Sequence, residues 1–149
     1  MTVIENIQLS SLPDKIWSLM RREISGEEQR RIAEDVELKE GCLSMYPNEL
    51  AVGDLQRLEL ARAIATNPKI ILLDEIFAGL TVAESSGMCE VINKKREQGL
   101  SFAIISHDLR AFAPVVDRVV VINFGEFIAE GAFEKVIEEE KVKKAYFGY

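Results

Sequence analysis

The chain has 149 residues, 48% apolar and 29% charged, a composition typical of a globular domain with a hydrophobic core. The formal charge is −7 and Lys and Arg form no concentrated stripe, so we expect no nucleic-acid partner. No run approaches the ~18 apolar residues of a transmembrane helix, and residues 1–10 lack a signal-peptide pattern. Cys42 and Cys89 lack metal-like spacing, which favours a reduced, cytoplasmic setting.

The first half of the chain carries helical patterns. Pro13 begins a predicted helix with apolar residues along one face. A second helix, rich in Glu and Arg, is predicted over residues 26–39, and its charge run is typical of a solvated helix face. A third helix, built of strong helix formers, is predicted over residues 55–66 and ends before Pro68.

From residue 70 onward, strand and helix patterns alternate. In chain order, the predicted elements are a buried strand (70–74), a helix capped by Gly99 (83–98), a second buried strand (102–105), a short helix, a third strand (119–123), a short strand ending at Gly131 and two short helices. This alternation predicts an α/β fold with a mostly parallel sheet and flanking helices.

Two acidic residues follow the first predicted strand directly. Asp74 and Glu75 therefore stand at a strand's carboxyl end, where α/β proteins gather their ligands. An acid there can hold Mg²⁺ beside a nucleotide's phosphates, and its neighbour can orient or activate a water molecule. The alternative is that both acids only cap the following helix.

The single histidine, His107, also follows a predicted strand. A histidine in that place can donate a hydrogen bond to a terminal phosphate as negative charge builds up. A helix-start histidine without a ligand is the alternative. Residues 50–57 place Gly53 before a helix, where backbone amides can approach an anion. There the alternative is strong, because Asp54 would be an ordinary N-cap whose carboxylate repels phosphate.

In this order and spacing, the segments resemble the ATP-binding subunits of ABC transporters. The matching stretches are YPNELAVGDLQRLELARAIATNPKIILLDE, AGL, IISHD and VVVINFGEFIAEG. The closing segment, GAFEKVIEEEKVKKAYFG, is most similar to the subfamily that serves branched-chain amino acid importers and their relatives. The resemblance implies a partial P-loop NTPase fold, with a helical subdomain over residues 1–53 and the C-terminal part of the ATPase core over 54–149.

The resemblance also implies a role for each matching residue. Asp74 stands at the position of the Walker B aspartate, which helps to hold Mg²⁺, and Glu75 at that of the catalytic glutamate. His107 stands at the position of the switch histidine, which contacts the γ-phosphate of ATP. The signature segment, which closes over ATP held by the opposite subunit, comprises Leu50, Ala51, Val52, Gly53 and Asp54. The D-loop, between the two nucleotide sites, comprises Ala78, Gly79, Leu80 and Thr81.

Several positions depart from the family pattern. The family's signature reads Leu-Ser-Gly-Gly-Gln, so Ala51 lacks a hydroxyl that would bond the γ-phosphate and Asp54 brings charge of the wrong sign. Each such change costs about 1–3 kcal/mol of phosphate binding. Ile76 replaces the usual proline after the catalytic glutamate, and Thr81 replaces the usual Asp or Asn.

The 149 residues contain no Gly-x-x-x-x-Gly-Lys-Ser/Thr, the Walker A loop that wraps phosphates, and none of the nine glycines precedes a lysine. The resemblance thus covers about the C-terminal two thirds of a family domain, without the glutamine loop and the adenine-stacking aromatic. In the family fold, the strand leading into that loop lies between the strands of residues 102–105 and 119–123. We therefore expect two unpaired, apolar sheet edges.

The resemblance implies an ATP-binding, ATP-hydrolysing subunit, or a fragment of one, that couples hydrolysis to solute import at the inner face of the cell membrane. ATP and Mg²⁺ are the implied cofactors. The implied partners are the membrane subunits, a second ATP-binding subunit and a separate N-terminal fragment. For the isolated chain we expect weak or absent nucleotide binding and no ATPase activity. Two alternatives stay open: a non-catalytic interaction module and a truncated remnant.

Overall fold

The computed structural model describes residues 1–11 and 24–147. The helix predicted from Pro13 lies outside the described residues. The backbone forms two compact units, Met1–Ala111 and Phe112–Tyr149, each with its own two-stranded sheet. The predicted boundary between residues 53 and 54 separates the helical subdomain from the ATPase core of the family. The division into two compact units does not test it, so it stays a prediction. No helix within the described ranges is long and apolar enough to cross a membrane.

The first unit carries most of the helices and the parallel strands. In chain order its elements are α1 (Val3–Ser10), α2 (Gly26–Asp35), α3 (Val52–Ala65), β1 (Ile70–Asp74), α4 (Val82–Glu97) and β2 (Ser101–Ile105), with 3-10 turns at Glu40–Cys42 and Pro47–Glu49. The short helix α5 (Leu109–Phe112) spans the boundary between the two units. The predicted elements from residue 55 to residue 105 are all present. α2 ends earlier than predicted, because Glu37 adopts a φ of 60° that no helix continues through.

The helix α1 was not predicted. Its signal is the pair Thr2 and Glu5, which form a capping box: the Thr2 backbone N–H donates to Glu5 Oε2 at 2.7 Å, and the Glu5 backbone N–H donates to Thr2 Oγ1 at 3.4 Å. Val3 and Ile7 on its inner face are fully buried where α1 packs on α2 and α3. This packing gives a short helix the stability that it lacks alone.

The sheet of the first unit is parallel, with Ile70 opposite Ser101 and Asp74 opposite Ile105. One face is buried through Ile71 and Leu73, whereas Leu72 on the other face keeps 76% of its surface exposed. The prediction of a buried strand is therefore wrong for one face of β1, and it is wrong for β2, in which no residue is buried. Within the described residues β2 pairs only with β1, so its second edge carries no strand.

The second unit is a β-hairpin followed by two short helices: β3 (Val119–Asn123), β4 (Glu126–Gly131), α6 (Phe133–Val136) and α7 (Glu140–Phe147). Phe124 and Gly125 form the two-residue turn with φ of 48° and 82°, the conformation that such hairpins require. Both helices pack against β4, and the unit's buried side chains include Val119, Val121, Ala129, Val136 and Val142.

Candidate functional site

The two acids lie at the carboxyl end of β1, as the sequence predicts. Asp74 is the last residue of the strand, and its side chain is exposed. Glu75 leaves the strand with a φ of 52°, a left-handed conformation rare outside glycine, and its N–H donates to the Ile105 carbonyl at 2.8 Å. The buried side chains of Ile76 and Phe77 anchor the turn that follows. The hydrogen bond to Ile105 and the burial of Ile76 and Phe77 hold Glu75 in this conformation. A strained backbone that its surroundings hold in place is typical of functional sites.

The structure brings Glu75 and His107 into direct contact. His107 Nδ1 lies 2.8 Å from Glu75 Oε1, with side chains that are 80% and 38% exposed. The hydrogen bond to Glu75, reinforced by the carboxylate's charge, raises the pKa of His107 above its usual value. His107 therefore keeps its proton to higher pH than a free histidine and acts as a donor there. Because β1 and β2 run parallel, both side chains reach the same edge of the sheet.

Replacing Glu75 with Gln should lower the pKa of His107 toward its ordinary value, because the amide removes both the charge and the strong acceptor. The chain has a single histidine, so its imidazole proton gives one resolved NMR titration curve. Asp74→Asn is the matched control, since the Asp74 carboxylate is not among the groups that raise the His107 pKa. Equal titration midpoints in Glu75→Gln and the unchanged chain would contradict the Glu75–His107 contact.

The signature segment lies at the amino end of α3. Ala51 is the N-cap and provides no side-chain hydrogen bond, while residues 52–54 form the first helical turn. The alternative that Asp54 is the N-cap is wrong, because the Leu55 N–H already donates to the Ala51 carbonyl at 2.9 Å. The helix thus starts earlier than the predicted residue 55, and its first backbone N–H groups lack helical partners.

Asp54 faces a buried cysteine. Its Oδ2 lies 3.8 Å from Cys42 Sγ, and burial, followed by the charge of Asp54, raises the pKa of that thiol. Cys42 therefore stays protonated and donates to the carboxylate. The contact gives Asp54 a partner inside its own unit.

The D-loop passes beside the signature segment. The Ala78 N–H donates to the Glu75 carbonyl at 2.9 Å, and the Leu80 N–H to the Phe77 carbonyl at 3.2 Å, which makes this stretch a compact turn. Gly79 has a φ of 75°, and a Cβ placed on it would meet Val52 Cγ1 at 3.3 Å. The two segments are therefore in contact within the first unit.

The donor set allows one kind of metal site. Over residues 1–11 and 24–147, no three His, Cys, Asp or Glu side chains lie close enough to hold a metal ion by themselves. Mg²⁺ in nucleotide sites keeps several waters and takes one or two carboxylates beside the phosphates. The single exposed carboxylate of Asp74 fits that pattern.

Sequence reasoning did not single out Arg57, a residue of α3 that contacts the end of α2 and the helix α4. Its Nη1 donates to the Val36 carbonyl at 2.8 Å and lies 2.9 Å from Glu37 Oε2, with only 12% of the side chain exposed. A Cβ on Gly87 of α4 would lie 2.8 Å from Arg57 Nη2, so glycine makes room for the guanidinium. The sequence signal that could have pointed to this contact is Gly87, a glycine inside a predicted helix.

Comparisons with known proteins show the family of this chain. The profile of the family described as ABC transporter matches residues 1–78. The lipopolysaccharide export system ATP-binding protein LptB of Haemophilus influenzae is 34% identical over 133 residues, 87% of this chain and 55% of that protein. The branched-chain amino acid transport ATP-binding protein BraF of Pseudomonas aeruginosa is 39% identical over 116 residues, 74% of this chain and 46% of that protein. The chain thus spans about half the length of these relatives.

Solved structures extend the likeness to the whole chain. The ADP conformation of an ATP-binding cassette of an ABC transporter superposes with a TM-score of 0.82 at 27% identity, covering 100% of this chain and 63% of that one. A nucleotide-free cassette gives a TM-score of 0.84 at 27% identity, with 100% and 64% covered. The predicted α/β fold of partial P-loop NTPase type is confirmed. The roles of individual residues stay predictions.

Proposed function

Because this chain belongs to the ABC transporter family of ATP-binding proteins, we propose that its 149 residues form the hydrolytic part of an ATP-binding subunit. The phosphate loop comes from residues outside them, either in a longer form of the same protein or in a separate N-terminal fragment. The observation that carries the proposal is the 2.8 Å contact between Glu75 and His107 at the carboxyl ends of two parallel strands. Ligands of such folds bind at the carboxyl ends of the strands, so an acid and a donor paired there support a role in phosphate chemistry.

Asp74 and the two residues of the pair, Glu75 and His107, each have a distinct task. Asp74 holds Mg²⁺, which when bound neutralises phosphate charge. Glu75 accepts a hydrogen bond from a water molecule and takes its proton as that water attacks the terminal phosphate. The Nδ1 atom of His107 is engaged by Glu75, so Nε2 is the ring nitrogen that donates to a phosphate oxygen. The contact with Glu75 raises the pKa of His107, so this donor stays protonated to higher pH than in a free histidine.

The signature segment and D-loop face a second ATP-binding subunit in this proposal. Without a hydroxyl at Ala51, and with Asp54 in the first turn of α3, the signature segment binds the partner's ATP more weakly than the family pattern would. The contact with Cys42 gives Asp54 a partner, but its negative charge remains.

The exposed face of the first unit's sheet supports completion by another segment. Ile70, Leu72 and Ile105 are 56%, 76% and 65% exposed, although parallel sheets are normally covered on both faces. The second edge of β2 carries no strand within the described residues. A segment that covers this face would remove its apolar side chains from water, so it would stabilise the fold as well as supply the phosphate-binding loop.

We place the completed subunit at the inner face of the membrane with its membrane subunits, as an importer component of the branched-chain amino acid type. The closing segment, residues 131–148, supports the importer assignment. The similarity to an export protein makes the transport direction an outcome to be measured, by substrate uptake or release in membrane vesicles that contain the complete transporter.

Complementation tests the proposed function. The purified chain alone should hydrolyse no ATP, and turnover should appear when the N-terminal half of a full-length relative, carrying the phosphate loop, is added. Co-elution of the two polypeptides on a sizing column shows that they assemble. ATP hydrolysis by the chain alone would contradict the proposal. Assembly without turnover would instead favour the non-catalytic interaction module, the alternative to which the substitutions at Ala51 and Asp54 point.

A further inference from the structure

The carboxylate of Glu84 connects the D-loop to the first turn of α4. Its Oε2 accepts hydrogen bonds from the Thr81 backbone N–H at 2.8 Å and from Thr81 Oγ1 at 2.7 Å. In return the Glu84 N–H donates to Thr81 Oγ1 at 3.3 Å. These bonds from the side chain and backbone of Thr81 lower the pKa of Glu84, so it is an anion at neutral pH. Taken alone, this arrangement is a capping box.

The other oxygen of the same carboxylate lies against the signature segment. A Cβ placed on Gly53 would meet Glu84 Oε1 at 2.7 Å, closer than real Cβ atoms approach, and Glu84 Cδ at 3.1 Å, a tight contact. Gly53 is buried in the first turn of α3, so the missing side chain is what lets the carboxylate in. An ordinary capping box has no such second contact.

Two further contacts join the region of α3 and the signature segment to that of α4 and the D-loop. About one turn further along both helices, Gly87 of α4 lies against Arg57 of α3. Gly79 in the D-loop lies against Val52. The first turns of α3 and α4 therefore contact each other through individual side chains, and each close approach occurs at a glycine.

We propose that Glu84 is a positioning residue that sets the D-loop at a defined place relative to the signature segment of the same chain. The inference rests on the proposed function, which gives those two segments their roles at the nucleotide. Glu84 contacts no nucleotide in this scheme. It acts by holding Thr81 with one oxygen and packing the other on Gly53, so that a displacement of either segment moves the other.

Hydrogen exchange of backbone amides separates this role from that of a plain helix cap. Glu84→Ala should raise, on the order of fivefold, the exchange rates of the Leu80 amide in the D-loop and of the Leu55 amide at the start of α3, which are hydrogen-bonded to the Phe77 and Ala51 carbonyls. Glu5→Ala is the matched control, because Glu5 forms the same box with Thr2 at the start of α1. It should loosen the start of α1 and leave the amides of the D-loop unchanged. Faster exchange confined to residues 81–85 in Glu84→Ala would overturn the proposal.

A double-mutant cycle gives a second, independent readout. Gly53→Ala should change the melting temperature less favourably in the unchanged chain than in the Glu84→Ala background, because only the unchanged chain has a Glu84 carboxylate that the new Cβ must displace. Additive shifts would mean that the two residues do not interact. In the completed ATPase, Glu84→Ala should reduce kcat about tenfold through misplacement of the loops. The exchange and melting results need no turnover, so they hold or fail separately from the proposed function.

Discussion

Glu75→Gln should reduce kcat for ATP hydrolysis in the completed subunit by a factor on the order of 10²–10³. The amide keeps the size of the side chain and an acceptor oxygen for His107, but it takes no proton from water, and a general base typically contributes 10²–10⁴-fold. The KM for ATP should change little, since Glu75 acts on the water molecule rather than the nucleotide. Steady-state release of inorganic phosphate measures both constants.

The control for this substitution is Glu90→Gln, an isosteric change at an exposed residue in the middle of α4. We expect this variant to have an unchanged kcat, which would show that the loss of a carboxylate elsewhere in the chain does not reduce ATP hydrolysis. If Glu75→Gln retained more than half of the original kcat, Glu75 would not be the base. The hydrolytic role would then have to lie with another group at the ends of β1 and β2.

Asp35→Ala should lower the free energy of unfolding by about 2–4 kcal/mol, because it leaves a buried ammonium without its counter-ion. Lys95 Nζ lies 2.5 Å from Asp35 Oδ2, and the lysine side chain is only 9% exposed. Gln98 Oε1, at 3.1 Å from Lys95 Nζ, is a neutral acceptor and replaces little of the lost charge interaction. Lys94, 2.9 Å from Asp35 Oδ1, is 53% exposed and contributes little.

Chemical denaturation of the folded chain measures this loss. The matched control is Glu40→Ala, which removes an ion pair with Arg30 whose two side chains are 67% and 60% exposed. Because water solvates both partners there, the control should shift stability by less than about 0.5 kcal/mol. Equal losses in the two variants would show that burial of Lys95 does not raise the cost of losing its partner.

The same cluster predicts a pH dependence. Burial raises the pKa of Asp35, but the hydrogen bonds and charges of Lys95 and Lys94 outweigh it and lower that pKa below its ordinary value. The unfolded chain therefore binds the proton more readily than the folded chain. The stabilisation is present above the ordinary carboxyl pKa and is lost as the pH falls through the folded value. The stability difference between the unchanged chain and Asp35→Ala should shrink over that acidic range.

The sequence alone was enough to predict the elements from α3 to β4 and the order of the candidate site residues. Helix ends such as Gly99, with its φ of 93°, are set by neighbours in the chain, and the apolar run of β1 is equally local. The carboxyl-end positions of Asp74, Glu75 and His107 follow from that local order, since parallel strands end at one edge. The resemblance to the ATP-binding subunits of ABC transporters rests on the same local sequence segments.

Tertiary structure decided everything that depends on residues far apart in the chain. The contact of Glu75 with His107, the left-handed turn at Glu75 and the packing of Glu84 on Gly53 each need two segments brought together. The helix α1 and the exposed face of β1 belong here too, because packing and burial depend on which neighbours the fold provides. A sequence pattern reports the preferences of neighbouring residues, whereas these features arise from contacts across 30 or so positions, about which such preferences carry no information.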